Sequence, residues 1–592
     1  MNTPGLTAPQ WWQRFHWTRA LVVTLTLIAI LTPLSLIFYQ SFLNAPFFAP
    51  VKELGLDSFR FIFDDPDFRQ AFTNGLILAT GLTAIAVPLG GMLAFLMTRT
   101  DLPGRSWLEP LILVPIFVSP MVMAFGYVVA MGPVGFYTLW AKQFIGMEPW
   151  NIYSFTSIVI IAGLTHVPHV YLYSSSALKS LGSDVEEAAR VTGASPFRVA
   201  LNVSLPMIMP ALSFAGVLVF FLGFEVFGLV LVLGDPEGHL VLPTYLYKLT
   251  NKLGTPSYHL MAATAVCLVA VTMPLVMVQR WLLKSANKYV SIKGKGSRQK
   301  PLPLGKWKWL AFGVIASWLL FTIILPLSGI ALRSFVSYWG EGVPLGEVLT
   351  LQHFRDILEQ PSLMRGILNT VLIGIIGGAL AVICYSAIAL AMHRKPDMVS
   401  RILDYSVLVP RAVPGLLAGL AFLWVFLFVP SGLENLLRGS DSSISVWLQE
   451  NLIPQLRALR STIVSVWIAY TVVWMAYGLR LISSALLQVG PELEEAARAV
   501  GARRGQVTRD VTLPLIKYGL LGAWLMIFLI FEREYSTGVY LLSPGTEVIG
   551  ALIVSLWAGG SVDLVAALSF INITLVAIGL GIALRFGVKL NH

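Results

Sequence analysis

Apolar residues in this chain follow neither the two-residue period of a half-buried strand nor the narrow stripe of a surface helix. They form long runs broken by short polar segments. A bilayer crossing needs about 20 mostly apolar residues. Twelve runs qualify: near 19–41, 72–98, 108–131, 154–178, 209–233 and 259–283 in the first half of the chain, and near 309–333, 367–392, 405–429, 462–485, 517–541 and 563–586 in the second. Backbone amides in lipid must be bonded within their own segment, so the runs are predicted to be helices and the fold class an all-α membrane protein with twelve transmembrane helices.

Composition agrees, since only 12% of the 592 residues are charged, against about 25% in soluble proteins. The first run is longer than a signal-peptide core, and Asn44-Ala45-Pro46 is a poor cleavage site, so it is expected to be a retained anchor. The net charge of +10 does not point to nucleic acid. With the N-terminus placed in the cytoplasm and sides alternated, 26 of the 41 Lys and Arg residues fall on the cytoplasmic side, from Arg14 and Arg19 through Arg99, Arg105 and Lys179 to Arg585 and Lys589. This is the asymmetry that orients membrane proteins, with both termini inside. Cys267 and Cys384 sit alone in apolar runs and are expected to be packing residues.

The two halves are copies. Phe59 and Arg60 match Phe354 and Arg355, and Asn74, Arg99 and Pro115 match Asn369, Arg394 and Pro410, all at an offset of 295. Later pairs share an offset of 308, so the second copy carries 13 extra residues, expected in the outer loop around 430–460. Six spans return the chain to its starting side, so the copies run parallel and can enclose a pathway about an axis along the membrane normal. The predicted organisation is a permease half over 1–283, a basic Gly- and Pro-containing linker over 284–308 read as a flexible tether, and a second half over 309–592.

The loops between the fourth and fifth span of each half carry one pattern. The first reads Glu186-Glu187-Ala188-Ala189-Arg190-Val191-Thr192-Gly193, nine residues, then Val203-Ser204-Leu205-Pro206. The second reads Glu494-Glu495-Ala496-Ala497-Arg498-Ala499-Val500-Gly501, nine residues, then Val511-Thr512-Leu513-Pro514. Ser183 with Glu186 forms a capping-box signature, and Gly490-Pro491 places proline at a helix start. Gly193 and Gly501 suit a left-handed helix stop, and Ser195-Pro196 can start a second short helix. The alanines leave room for another surface to approach.

On these residues the chain resembles the permeases of binding-protein-dependent ATP-binding-cassette (ABC) importers, which carry E-A-A, three residues, G, nine residues and an aliphatic-x-L-P ending. The resemblance covers nearly the whole chain and implies two six-helix repeats in a bacterial inner membrane. It implies that each loop is a coupling helix docked on an ATPase subunit, with Glu187 and Glu495 facing basic groups and Gly193 and Gly501 setting the turn. The implied partners are two ATPase copies, a periplasmic solute-binding protein and the bilayer. No phosphate loop occurs, because Gly294-Lys295-Gly296-Ser297 lacks the spacing. ATP and Mg are therefore expected on the partner, and no cofactor on this chain. Fused two-half permeases of this length most resemble the ferric-iron group, with thiamine and phosphonate types close by.

Polar groups inside spans are costly and tend to face a pathway. Glu225 lies in the fifth span, with Glu532, Arg533 and Glu534 near the equivalent place. Carboxylates suit a hard cation such as Fe³⁺, but a polar contact between the halves or an interfacial ion pair involving Arg533 is the favoured reading. His166 and His169, flanking Pro168, have metal-ligand spacing, yet a proline-kinked helix with hydrogen-bonded histidines explains them as well; the second half has Trp474 and Tyr477 instead. Arg411 marks a span edge, either lining the entrance or reaching for headgroups. Asp64-Asp65 and the segment 434–460 are outer-face candidates for binding-protein contact.

Overall fold

A computed structural model describes residues 17–180, 184–251, 254, 256–286, 301–393, 397–439 and 442–585. These residues form helices and contain no β-strand. Eleven of the helices are long and apolar enough to cross a membrane, and a twelfth is reached if Ser443–Leu459 and Ile463–Val473, bent by 76°, count as one.

Several predicted spans are broken, and local chemistry explains where. The third divides into Arg105–Phe117 and Pro120–Met131, because Pro120 lacks an N–H and holds Ser119 extended (φ −59°, ψ 132°). The ninth breaks in the same way before Gly415–Leu437, with Pro414 extended. The tenth is split at Trp474 into Ile463–Val473 and Met475–Leu487. The fifth and eleventh end earlier than their apolar runs. Leu205–Glu225 stops at extended Val226 and Leu513–Arg533 at extended Glu534, equivalent positions in the repeat. Beyond each break the chain turns back through short apolar helices, Gly228–Leu233 and Leu242–Asn251 in one half and Ile549–Ala558 in the other. The Asn74 amide donates to Leu240 O (3.0 Å) and the Asn369 amide to Glu547 O (2.9 Å), so one repeated asparagine holds each returning segment.

Within the first half, the second span (Pro66–Arg99) lies against the fourth (Phe155–Ser180) at glycines. A Cβ on Gly90 would stand 2.6 Å from Val170 Cβ, and one on Gly163 2.7 Å from Ile85 Cβ. Small residues permit this approach where no hydrophobic drive separates lipid from helix.

The halves are not two self-contained bundles. The first span (Trp17–Ser41) packs on Tyr258–Ala286 of its own half and also on Gly415–Leu437 of the second, and Arg19 is paired across the halves with Asp397 (2.6 Å). The seventh span (Trp307–Ser334) likewise packs on Val562–Arg585 of its own half and on Pro120–Met131 of the first; Tyr127 donates to Phe321 O (2.8 Å), and Trp318 donates to Leu164 O (3.2 Å) of the fourth span. Residues 287–300 of the predicted tether lie outside the described residues. Its far end is fixed, since Leu302 N donates to Arg99 O (2.7 Å) and Leu304 N to Asp101 Oδ1 (2.8 Å).

Ion pairs respect the sidedness read from charge. Arg99–Glu186, Lys179–Glu109 and His393–Glu494 join segments assigned to one face. Lys248–Asp67, Lys142–Glu341, Arg333–Asp563 and Arg365–Glu547 join segments assigned to the other.

Candidate functional site: paired loops and an axial cavity

The two patterned loops take the same shape. Helices Asp184–Val191 and Pro491–Ala499 each end on a glycine at φ +90°, Gly193 and Gly501. Ala194 N donates to Ala189 O (3.1 Å) and Gly193 N to Arg190 O (2.9 Å). Ala502 N to Ala497 O (3.1 Å) and Gly501 N to Arg498 O (3.0 Å) repeat the pair. This double bond satisfies carbonyls orphaned at the helix end and requires a left-handed residue. Short helices Pro196–Val199 and Arg504–Val507 follow, then π-turns at Ala200–Ser204 and Thr508–Thr512, and the chain enters the fifth and eleventh spans at Leu205-Pro206 and Leu513-Pro514. Ser183, the predicted cap, lies outside the described residues.

The paired glutamates divide their work. Glu186 and Glu494 are each 5% exposed. Glu186 Oε1 accepts from Ser204 Oγ (2.7 Å) and lies 3.3 Å from Arg99 Nε. Glu494 Oε1 accepts from Thr512 Oγ1 (3.0 Å) and lies 3.2 Å from His393 Nε2. These carboxylates clamp each loop helix to the foot of the following span and to the end of the second or eighth. Glu187, Ala188, Glu495 and Ala496 face outward and are exposed, while Ala189 and Ala497 are half-buried. Each loop is thus an outward surface fixed from behind.

A second feature lies where the fifth and eleventh spans break. A cavity of about 170 Å³ is lined from both halves by His166, Glu225, Phe227, Trp474, Arg533 and Tyr535, among others. The lining is paired by the offset of 308: Glu225 with Arg533, Phe227 with Tyr535 and His166 with Trp474. The cavity therefore sits on the pseudo-twofold axis and carries unlike groups at equivalent positions. Arg533 donates to Ile116 O of the first half and stands 5.7 Å from the Trp474 ring. The His166 and His169 rings stack at 5.6 Å, and His166 Nδ1 donates to Ala162 O (2.7 Å), so that nitrogen is held by its own helix. Among the described residues no group of three or more His, Cys, Asp or Glu is placed to hold a metal ion.

The other predicted pathway residues divide. Glu534 touches the cavity, but its oxygens also cap the break, accepting from Trp474 Nε1 (2.8 Å), Ser536 Oγ (2.9 Å) and Thr537 N (3.1 Å). Glu532 lies elsewhere, buried against the twelfth span with Asn572 donating to Oε1 (2.8 Å). The reason is helical geometry, since neighbouring positions on one turn face different directions. Arg411 lies in the short helix Val409–Ala412, and its side chain is outside the described residues. Asp65 accepts from Tyr245 and Asp67 pairs with Lys248 in the first half's returning segment.

Sequence reasoning did not find the contacts that close the cavity. Tyr535 OH accepts from Gly228 N (3.0 Å), and its ring stacks on Phe227 at 6.1 Å and 4°. Farther along, Tyr540 OH is bonded to Thr250 Oγ1 and accepts from the Asn251 amide (3.3 Å). The repeat held a signal for the first of these, because two aromatics at equivalent positions beside an in-span charge can meet on the axis.

The chain is similar to one protein family and to three relatives, in part or along most of its length. The family profile for "Binding-protein-dependent transport system inner membrane component" matches twice, over residues 86–288 and 386–590. The chain is 23% identical over 542 residues to the ferric transport system permease protein FbpB of Actinobacillus pleuropneumoniae, covering 90% of this chain and 72% of that one. It is 23% identical over 535 residues to the putative ferric transport system permease protein FbpB 1 of Haemophilus influenzae (89% and 78% covered). It is also 25% identical over 227 residues to the molybdenum transport system permease protein ModB of Escherichia coli (38% and 96%).

Proposed function

The chain belongs to the binding-protein-dependent transport system inner membrane components, and from that premise we propose that the solute it passes is ferric iron, delivered by a periplasmic binding protein and driven by two copies of a separate ATPase. It is the multi-pass permease of an ABC importer, a transport subunit and not an enzyme. Two relatives named for ferric transport align along both halves, which supports iron, whereas the molybdenum relative aligns with about one half. Arg533 in the axial cavity favours a second reading, in which the cargo is an oxyanion or other anionic solute.

The observation that carries the mechanism is continuity. Each outward loop runs directly into a 21-residue helix, Leu205–Glu225 or Leu513–Arg533, whose far end supplies Glu225 or Arg533 to the cavity. Such a helix is about 31 Å long at 1.5 Å per residue. A push on the loop at one face is delivered to the cavity by a single rigid rod, in both halves. With the loops in the cytoplasm, Glu187 and Glu495 meet basic groups of the ATPase, and ATP-driven closure draws the two rods together. Mg and ATP remain on that partner. ATP shifts the permease only by as much as it favours one state over the other. The Phe227–Tyr535 and Thr250–Tyr540 contacts lie at or beyond the cavity and close the side away from the loops, so they must part to admit solute.

The test is uptake of labelled Fe³⁺ by vesicles holding the permease with its ATPase and binding protein. Uptake that requires both partners and is lost in a Gly193→Val/Gly501→Val variant supports the reading. Uptake without any ATPase overturns the mechanism, and molybdate uptake in place of iron overturns the substrate. Cysteine labelling that reaches position 187 or 495 only from outside the cell would overturn the orientation.

A further inference from the structure

A groove of about 1370 Å³ opens on the outer wall of the first half, between the second span, the foot of the fifth and the seventh. Its walls are apolar and include Ala84, Gly91, Ser213 and Gly216, its floor is Phe197 of the first patterned loop, and Trp307 stands at its rim. It is larger than the roughly 300–1,000 Å³ typical of small-molecule pockets. Its counterpart in the second half, between the first span, the eighth and the second loop at Val22, Ala387, Leu390, Gly505 and Thr508, is smaller, about 470 Å³. By the repeat, Ser213 and Gly216 correspond to Leu521 and Trp524, and Phe197 to Gly505. In the second half the Trp524 indole crosses the equivalent space and donates to Ile375 O (2.9 Å), a carbonyl within the π-turn Ile373–Gly377. The second copy therefore closes the inner part of the space with a tryptophan and keeps only the part beside its loop, while the first leaves both open.

We propose that this groove holds the acyl chains of an anionic phospholipid, which braces the first loop more than the second, whose adjoining space is about a third as large. Three observations select that occupant. The groove runs along membrane-spanning helices, so its surroundings are hydrocarbon. Its lining offers almost nothing polar to a solute or peptide. Its loop end carries cations: Lys306 and Lys308 flank Trp307, and Arg198 adjoins Phe197, with Lys306 and Arg198 exposed. Basic groups beside an apolar cleft at a membrane face match an anionic headgroup above its chains, and Trp307 and Trp309 are suited to that interface. The lipid acts as a wedge under Phe197. It makes the two loops mechanically unlike although their backbones match, and the first loop moves with the lipid in place.

The experiment measures retained lipid on the purified full-length permease by native mass spectrometry, after extraction from bilayers containing phosphatidylglycerol and phosphatidylethanolamine. The wild type is expected to keep one phosphatidylglycerol per chain. Ser213→Leu/Gly216→Trp, which copies the second half, should cut that occupancy at least tenfold. A Cβ on Gly216 meets only Val87 Cγ2, at 3.5 Å, so the backbone tolerates it. Lys306→Gln and Lys308→Gln should each lower the preference for phosphatidylglycerol about fivefold while leaving total lipid unchanged. Equal retention by the wild type and the filled variant overturns the proposal, as does a wild type that keeps no lipid, no preference for the anionic lipid, or cryo-EM density in the groove from a polypeptide. The readout needs neither transport nor ATPase, so its failure is separable from failure of the importer reading.

Discussion

Tyr535→Phe isolates a single contact between the halves. The substitution keeps the ring stacked on Phe227, at 6.1 Å between centroids, and deletes only the oxygen that accepts from Gly228 N at 3.0 Å. That N–H belongs to a fully buried glycine at the start of Gly228–Leu233, with no earlier turn to bond to. A buried donor stripped of its acceptor costs about 1–3 kcal/mol. Solvent reaches the donor once the halves part, so the cost falls on the closed state alone. The closed-to-open ratio should therefore drop about 5- to 150-fold. The assay is ATP hydrolysis by the reconstituted transporter without binding protein, together with spin-label distances between the two returning segments. Basal hydrolysis should rise, and the population with separated segments should grow by the same factor. Tyr540→Phe, which removes the second contact, should add to the effect. If Tyr535→Phe leaves both the distances and basal hydrolysis within twofold of wild type, the contact does not hold the pathway shut and the reasoning fails.

Other consequences follow from the paired loops and the bridging first span. Glu186→Gln breaks a buried carboxylate cluster, worth about 3–5 kcal/mol when one partner is lost, and should abolish uptake with ATPase binding weakened only indirectly. Glu187→Gln, on the exposed side, should weaken ATPase binding in pull-down titrations and leave the permease's melting temperature unchanged; the reverse pattern would refute the division between the two glutamates. At Gly193 and Gly501 an added Cβ meets nothing within 4 Å, so any penalty is conformational. Gly193→Asn should then retain most uptake while Gly193→Val, at a cost of about 1–2 kcal/mol, loses it, and equal loss in both would point to contact and not to backbone. Arg19 holds the Asp397 carboxyl well below the usual carboxylate range, helped by hydrogen bonds from Ser400. A depressed folded-state value means that the pair stabilises above the unfolded carboxylate's pKa of about 3.9 and is lost as pH falls through the folded one. The wild-type melting temperature should fall on acidification below about pH 4, with a shallower fall in Asp397→Asn; parallel curves would count against the pair.

How much of this was legible in the sequence depends on whether the cause was local. The loops were readable to the residue, because a left-handed stop is written into both copies at Gly193 and Gly501 and a proline start into the second at Pro491. The spans were readable as apolar runs, but their breaks were not, since hydropathy continues through Val226 and Trp474 while the backbone does not. Only where Ser119-Pro120 and Pro414-Gly415 announce a new helix did a local signal exist. The bridging of the two halves by the first and seventh spans left no mark at all. A lipid-facing helix has the same composition whichever half it packs on, and the choice rests on tertiary fits such as Gly126 against Pro326 and Gly329 against Ala130.

The cavity shows why a repeat is more informative than either copy. Taken alone, Glu225 is one carboxylate in an apolar span, with a pathway role and a structural one both open. Its counterpart, Arg533, has the opposite charge, and both line one cavity. A duplicated gene begins with identical residues at such positions, and identical charges facing each other across an axis repel in a low dielectric. Divergence to Glu and Arg removes the repulsion and gives the axis a direction, so that the two helices ending there present unlike groups to one cavity. The same divergence placed His166 opposite Trp474 and Gly216 opposite Trp524. In each case the backbone kept the symmetry and the side chains gave it up, in the cavity between the halves and in the groove behind one loop. The Glu-Glu-Ala-Ala-Arg run and the glycine of the two loops, in contrast, kept both, which is what two identical ATPase surfaces would demand of the positions that touch them.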